Sequence, residues 1–159
     1  ARALVAEIDW PVHERPDGRL AGKLPGADRW TAELAGEPAG LRLSVEIAAM
    51  PAAGDATRLA LGEMLLACGR FVRFARPVVE DDGARCAVRF ETRLADDATS
   101  AELRHALSAL AAACCVCGEE VHALQDEAIS KEYLLARGES PCRVHHPHQR
   151  KENANDQER

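Results

Sequence analysis

The sequence predicts an α+β domain with helices packed on one antiparallel sheet. Three observations carry that reading. Leu41, Leu43, Val45 and Ile47 alternate with Arg42, Ser44 and Glu46, the period-two signature of a strand with one buried face. Two further alternating segments meet at Asp82-Gly83, a tight hairpin signal. From Thr99 to Arg137, the residues Leu103, Leu107, Leu110, Cys114, Cys117, Val121, Leu124 and Ala128 recur alternately four and three apart, which predicts one long amphipathic helix with a buried seam.

Taken in order, Leu4, Val5 and Ile8 before Trp10-Pro11 read as the end of a helix stopped by proline. Pro16-Asp17-Gly18 is a turn, followed by a strand from Arg19 to Leu24 that ends at Pro25-Gly26. Trp30, Ala32 and Leu34 mark a second strand, and Leu41 to Ile47 the third. Pro51 and Gly54 break the sheet. Asp55 is placed to cap a middle helix with Leu61, Met64, Leu65 and Cys68 on one stripe, and Gly69 to end it. Phe71 to Val79 reads as a strand that Pro77 confines to an edge or a bulge. It pairs with a strand whose Cys86, Val88, Phe90, Thr92 and Leu94 share one face, and Arg89, Glu91 and Arg93 the other.

Thr99-Ser-Ala-Glu102 is a capping box for the last helix, and Gly138 stands where it would stop. At ~1.5 Å per residue such a helix would be roughly 55 Å long, so a bend at Gly118 is expected. The predicted order is α-β-β-β-α-β-β-α, with one domain over residues 1–138 and a polar, disordered tail over 139–159.

Composition narrows the function classes. The 159 residues suffice for one core without disulfides or a structural metal. A formal net charge of −6, with Lys and Arg dispersed among Asp and Glu, supplies no basic stripe for nucleic acid. The longest uncharged run, Ala106 to Gly118, is short for a bilayer span, so no membrane partner is expected. No signal peptide is visible, and Ala1 in place of Met is expected of a chain whose start lies upstream. Three of the six cysteines crowd into four residues of a helix, a poor disulfide framework and a pattern suited to a reducing cytoplasm.

Ile8-Asp9-Trp10-Pro11-Val12, Asp17-Gly18-Arg19-Leu20, Gly40-Leu41-Arg42-Leu43-Ser44-Val45-Glu46 and the strand-to-helix junction from Phe90 to Ala101 together resemble the type III secretion chaperone-like superfamily, including its Tir-chaperone and YbjN-like members. The resemblance covers roughly residues 1 to 137 and rests on element order and hydrophobic pattern. It implies a small acidic cytoplasmic bacterial protein, not an enzyme, that forms a homodimer and holds an extended segment of a partner polypeptide, in many members a secreted effector. Family dimers commonly use the middle helix and the neighbouring strand, here Asp55 to Cys68 and Phe71 to Val79. The Ala- and Cys-rich last helix and the polar tail depart from the family pattern.

The alternative reading is a small zinc module. Cys114-x-x-Cys117 and Cys142-x-x-His145 have the ligand types and pair spacing of a tetrahedral site. Against it, Cys114 and Cys117 lie on the helix seam, where a metal site would interrupt packing, so both are expected to be buried, reduced and without metal. A redox role for this pair would need a helix N-terminus, and it falls mid-helix. Cys115, off the seam, is at most a weakly reactive surface thiol. Cys142, His145, His146 and His148 read as a solvated tail.

The pairs Asp81-Asp82 and Asp96-Asp97 fall in turns, where Asp serves the backbone. His13, His105 and His122 have no catalytic partner in the sequence, and no nucleophile elbow or phosphate-binding glycine loop is present. Trp10 and Trp30 read as core or edge anchors. Neither cofactor nor catalytic residue is expected.

Overall fold

The computed structural model describes residues 1–51, 56–70, 72–81, 83 and 85–137. The elements run α1 (Arg2–Glu7), β1 (Val12–Glu14), β2 (Leu20–Leu24), β3 (Ala27–Glu37), β4 (Gly40–Ala49), α2 (Ala56–Cys68), β5 (Arg76–Asp81), β6 (Cys86–Leu94), α3 (Ser100–Ala113), a π-helical turn (Cys114–Gly118), α4 (Glu119–Ala123) and α5 (Glu127–Arg137). The fold is α+β, as the periodicities predict. Its antiparallel sheet has six strands in the order β1-β2-β3-β4-β6-β5.

Helices cover one face of this sheet. Leu24, Ala32, Leu34, Leu43, Val45, Val88 and Phe90 present apolar side chains to Leu103, Leu107, Leu110, Cys114, Cys117 and Val121 of the last helical segment. Gly118 lies against the indole of Trp30, where a Cβ would come within 3.2 Å of the ring. The turn into β4 depends on Gly40, whose φ of 134° is open to glycine and whose Cβ would stand 2.1 Å from the Leu94 carbonyl oxygen. Trp10 and Trp30 are both buried, as anchors should be.

The first correction is an extra strand. Val12–Glu14 pairs with Leu20–Leu24, so four strands precede α2 instead of three. Three residues are too few to show alternation. What holds them is tertiary: the Trp10 indole Nε1 donates to the Lys23 carbonyl at 2.8 Å, and Gly22 leaves room for the Trp10–Val12 chain to cross β2.

The second correction concerns the long helix. Its start is as predicted: Thr99 Oγ1 accepts from the Glu102 amide, and the Glu102 carboxylate accepts from the Thr99 amide at 2.7 Å. The helix passes through a π-turn over Cys114–Gly118, which includes the glycine where a bend was expected, and then stops at Leu124. Asp126 caps a new helix by accepting from the Ala128 amide at 2.8 Å, while Gln125 Oε1 accepts from the Ala49 amide at 3.0 Å. Ser130 Oγ donates to the Leu124 carbonyl at 2.6 Å, so Ser130 and Asp126 satisfy backbone groups freed at the break, and Gln125 ties it to β4. The seam stays buried from Leu103 through Leu124, but the break rotates Ala128 into solvent and Ser130 inward.

Two smaller differences follow. β5 begins at Arg76, not Phe71, because Phe74 adopts a left-handed backbone at φ 65° and turns the chain before the strand starts. By length and composition Ser100–Ala123 could span a bilayer. In this fold it packs its apolar stripe on the sheet as a core helix. Asp55, Phe71, Asp82, Gly138 and the 139–159 tail lie outside the described residues.

Candidate functional site

Among the described residues two surfaces stand out as uncovered, and they differ in kind. The sheet face away from the helices carries residues that register places side by side: Glu33 opposite Ser44, Ser44 opposite Glu91, Glu46 opposite Arg89 and Arg76 opposite Glu91. Arg89 spans three carboxylates, Glu33 at 3.1 Å, Glu46 at 3.0 Å and Glu80 at 2.9 Å. Arg42 joins Glu80 at 2.8 Å and Glu37 at 3.0 Å, and Arg76 reaches Glu91 at 2.5 Å. Arg15 and Arg85 close the ends on Glu33 and Glu46. The lattice is dense enough to bury Arg89 and Glu91, which the alternation assigns to the open face. The hydrogen bond from Arg42 holds the Glu80 carboxyl below its usual range, and the Glu80 partner raises Arg42 in return.

The second surface is the outer side of α2 beside α5. α2 turns Ala60, Leu61, Leu65 and Cys68 into the core, yet Leu59 and Leu66 on its other side are 58% and 79% exposed. Gly62 lies between them. With Ala56, Arg58, Glu63 and Leu134 they line an apolar groove of about 740 Å³. Sequence reading found the inward stripe and missed the outward one, although a helix apolar on both sides was the available signal.

The cysteines supply no assembled site among the described residues. Cys68, Cys114 and Cys117 are buried in the core and all described cysteines are free thiols. Burial, then the adjacent Cys117 thiol, pushes Cys68 up to about 12; burial, then Cys115, does the same to Cys114. Both shifts oppose the thiolate that zinc or redox chemistry needs. Cys142 and His145, the other half of the zinc alternative, lie outside the described residues. Within the described residues no three His, Cys, Asp or Glu side chains gather as a metal site. Cys115 is exposed, as its off-seam position predicts.

Of the remaining polar candidates, Asp81 and His122 have structural work. The Asp81 carboxylate accepts from the Gly83 amide at 2.9 Å, a turn role. His122 Nδ1 lies 3.1 Å from the Ile47 carbonyl, and its ring meets Trp30 edge-on. His105 meets the exposed ring of Phe74 at 5.0 Å between centroids.

No family model and no curated protein matches the sequence. Among solved structures, YbjN from E. coli, described as a proposed transcription regulator, superposes with a TM-score of 0.57 at 14% identity, covering 78% of this chain and 89% of that one. The fold is YbjN-like. At that identity the likeness concerns architecture, so the YbjN-like half of the sequence resemblance is met in the fold.

Proposed function

We propose that this protein is a non-catalytic, cytoplasmic polypeptide-binding module that works as a homodimer through the outer face of α2. One observation carries the reading: an α2 whose Leu59, Gly62 and Leu66 form an apolar stripe pointing away from a core that is already complete. Apolar side chains grouped and exposed on one helix face favour contact with a partner over contact with water. The stripe is also suited to two-fold packing. An antiparallel crossing centred near Gly62 sets Leu59 against Leu66 of the partner subunit on both sides of the axis, and the missing Gly62 side chain lets the helices approach. The sequence resemblance points to the same middle helix.

The partner implied by the type III chaperone resemblance is an extended segment of a secreted effector. The reading is supported by β5, which among the described residues is an edge strand of an antiparallel sheet, a place where an extended polypeptide can pair. A transcriptional role of the kind proposed for YbjN has less support, because the sheet-face arginines are engaged by glutamates.

Sedimentation equilibrium at micromolar concentration tests the reading. It predicts twice the 17.2 kDa chain mass. A monomer at every concentration, together with no binder selected from a displayed random peptide library, would overturn it.

A further inference from the structure

The turn from α2 to β5 carries two arginines, Arg70 and Arg73, that have no partner among the described residues. Every other described arginine meets a carboxylate, a backbone carbonyl or an aromatic ring. Arg70 and Arg73 meet none of these, and both are exposed. In a chain of net charge −6 they form a local positive spot.

The core holds this turn from both ends. The Val72 amide donates to the Cys68 carbonyl at 3.0 Å, Val72 packs against the core and Ala75 is buried in it. Between these anchors Phe74 takes a left-handed φ of 65°, rare for a bulky residue, and its ring stays 73% exposed with only His105 edge-on to it at 5.0 Å. The ring is part of a cleft of about 500 Å³ whose polar lining is Thr92, Arg93, Glu102 and His105. Glu102 is engaged there by Thr99, while Arg93 is 58% exposed and stands 3.4 and 3.8 Å from Glu91 and Glu37. Phe74 thus has Arg73 beside it in the chain and Arg93 in the same cleft.

We infer that this turn docks an acidic segment of a partner polypeptide, two carboxylates pairing with Arg70 and Arg73 while a neighbouring apolar side chain covers the Phe74 ring. This rests on the polypeptide-binding reading above and names the chemistry of the segment bound. The turn leads directly into β5, the edge that supports that reading. Charge complementarity selects the occupant: carboxylates gain two free guanidinium groups without breaking an existing pair, whereas a cationic segment meets like charge. A nucleic acid is disfavoured because two free arginines neutralise few phosphates and the chain as a whole is negative. A membrane surface is disfavoured because, among the described residues of the turn, Phe74 alone offers a large exposed apolar side chain, Val72 and Ala75 being turned inward.

The test is an amide NMR titration of the full chain with the capped peptide Ser-Gly-Glu-Glu-Leu-Glu-Glu-Gly-Ser. Shifts are expected at Arg70, Arg73, Phe74 and His105, and binding weakens at least about 10-fold between about 50 and about 300 mM salt. Arg70→Glu combined with Arg73→Glu weakens binding at least about 10-fold and turns the preference to the peptide with Lys in place of Glu. Phe74→Asn suits the left-handed backbone and keeps the charge pairing, but it removes the advantage of the Leu peptide over one with Ser in its place. Binding that maps to α2 or β1 instead overturns this site and leaves the polypeptide-binding reading standing. Tighter binding of an oligothymidylate or of phosphatidylserine vesicles, lost in the double arginine variant, gives the turn another class of partner and overturns the inference. A sedimentation mass lowered by the double variant makes the turn a contact between copies and overturns it too. No binding by this peptide or any library member overturns both readings.

Discussion

The open sheet face and the outer face of α2 are both left uncovered by the fold, yet only one is chemically complete. On the sheet, the charged side chains around Arg89 find opposite charges within their own chain: Arg89 alone engages Glu33, Glu46 and Glu80. On α2, Leu59 and Leu66 stay largely exposed among the described residues. A self-paired lattice resists a partner, because any partner must replace bonds already made, whereas an apolar stripe gains by being covered. The contrast is why the proposed interface is placed on α2 and not on the sheet.

The largest effect expected is within the lattice. Arg89→Ala leaves three carboxylates without their shared cation, two of them largely screened from water, and is expected to cost about 3 kcal/mol of unfolding free energy, read as a lowered urea midpoint. Association should be unchanged. Leu66→Asp is the mirror experiment: the side chain is solvent-exposed in the protomer, so stability holds, while dimer affinity falls about 100-fold, or about 2.7 kcal/mol. If Leu66→Asp unfolds the protein and Arg89→Ala dissociates it, the contrast is reversed.

Acid sharpens the same difference. The hydrogen bond from Arg42 holds the Glu80 carboxyl below the usual carboxylate range, so the folded state binds that proton less readily than the unfolded chain. The stability it contributes is complete above the unfolded chain's carboxylate value and is lost as the pH falls through the lowered folded-state value. Urea midpoints measured from pH 7 to pH 3 should fall, and Arg42→Met should flatten the fall. The smallest effect concerns the cysteines. With Cys114 and Cys117 in the core, a chelator is expected to leave the thermal midpoint unshifted and protein made without added zinc to contain less than stoichiometric metal. A stoichiometric, chelator-sensitive zinc would revive the Cys114, Cys117, Cys142, His145 reading.

Local signals in the sequence account for much of the fold. The Leu41–Ile47 alternation, the Thr99–Glu102 capping box and the seam from Leu103 to Leu124 each appear where expected, because each is set by neighbours within a few residues. Pro77 indeed sits on an edge strand. What escaped is tertiary. β1 exists because Trp10 bonds across β2, and the stop at Leu124 is fixed partly by Gln125 reaching Ala49, seventy-six residues away. Phe74 as a left-handed residue has no sequence signature. The candidate site was legible only in outline: a carried-over family habit indicated the middle helix, while Leu59 and Leu66 emerge as an outward stripe only once Leu61 and Leu65 are known to face in. Arg89 and Glu91 were assigned to the right face but not to burial, which accompanies their separate ion pairs, Arg89 with Glu33, Glu46 and Glu80 and Glu91 with Arg76.

Cysteine cross-linking compares the two faces directly. With Cys115 and Cys142 replaced by Ser, a Gly62→Cys protein and an Ala35→Cys protein would be oxidised under the same conditions and run without reductant. Gly62 marks the centre of the α2 stripe, and Ala35 lies opposite Arg42 on the charged sheet face. A covalent dimer from Gly62→Cys and none from Ala35→Cys is the result predicted. A dimer linked through Ala35→Cys but not through Gly62→Cys would contradict the account.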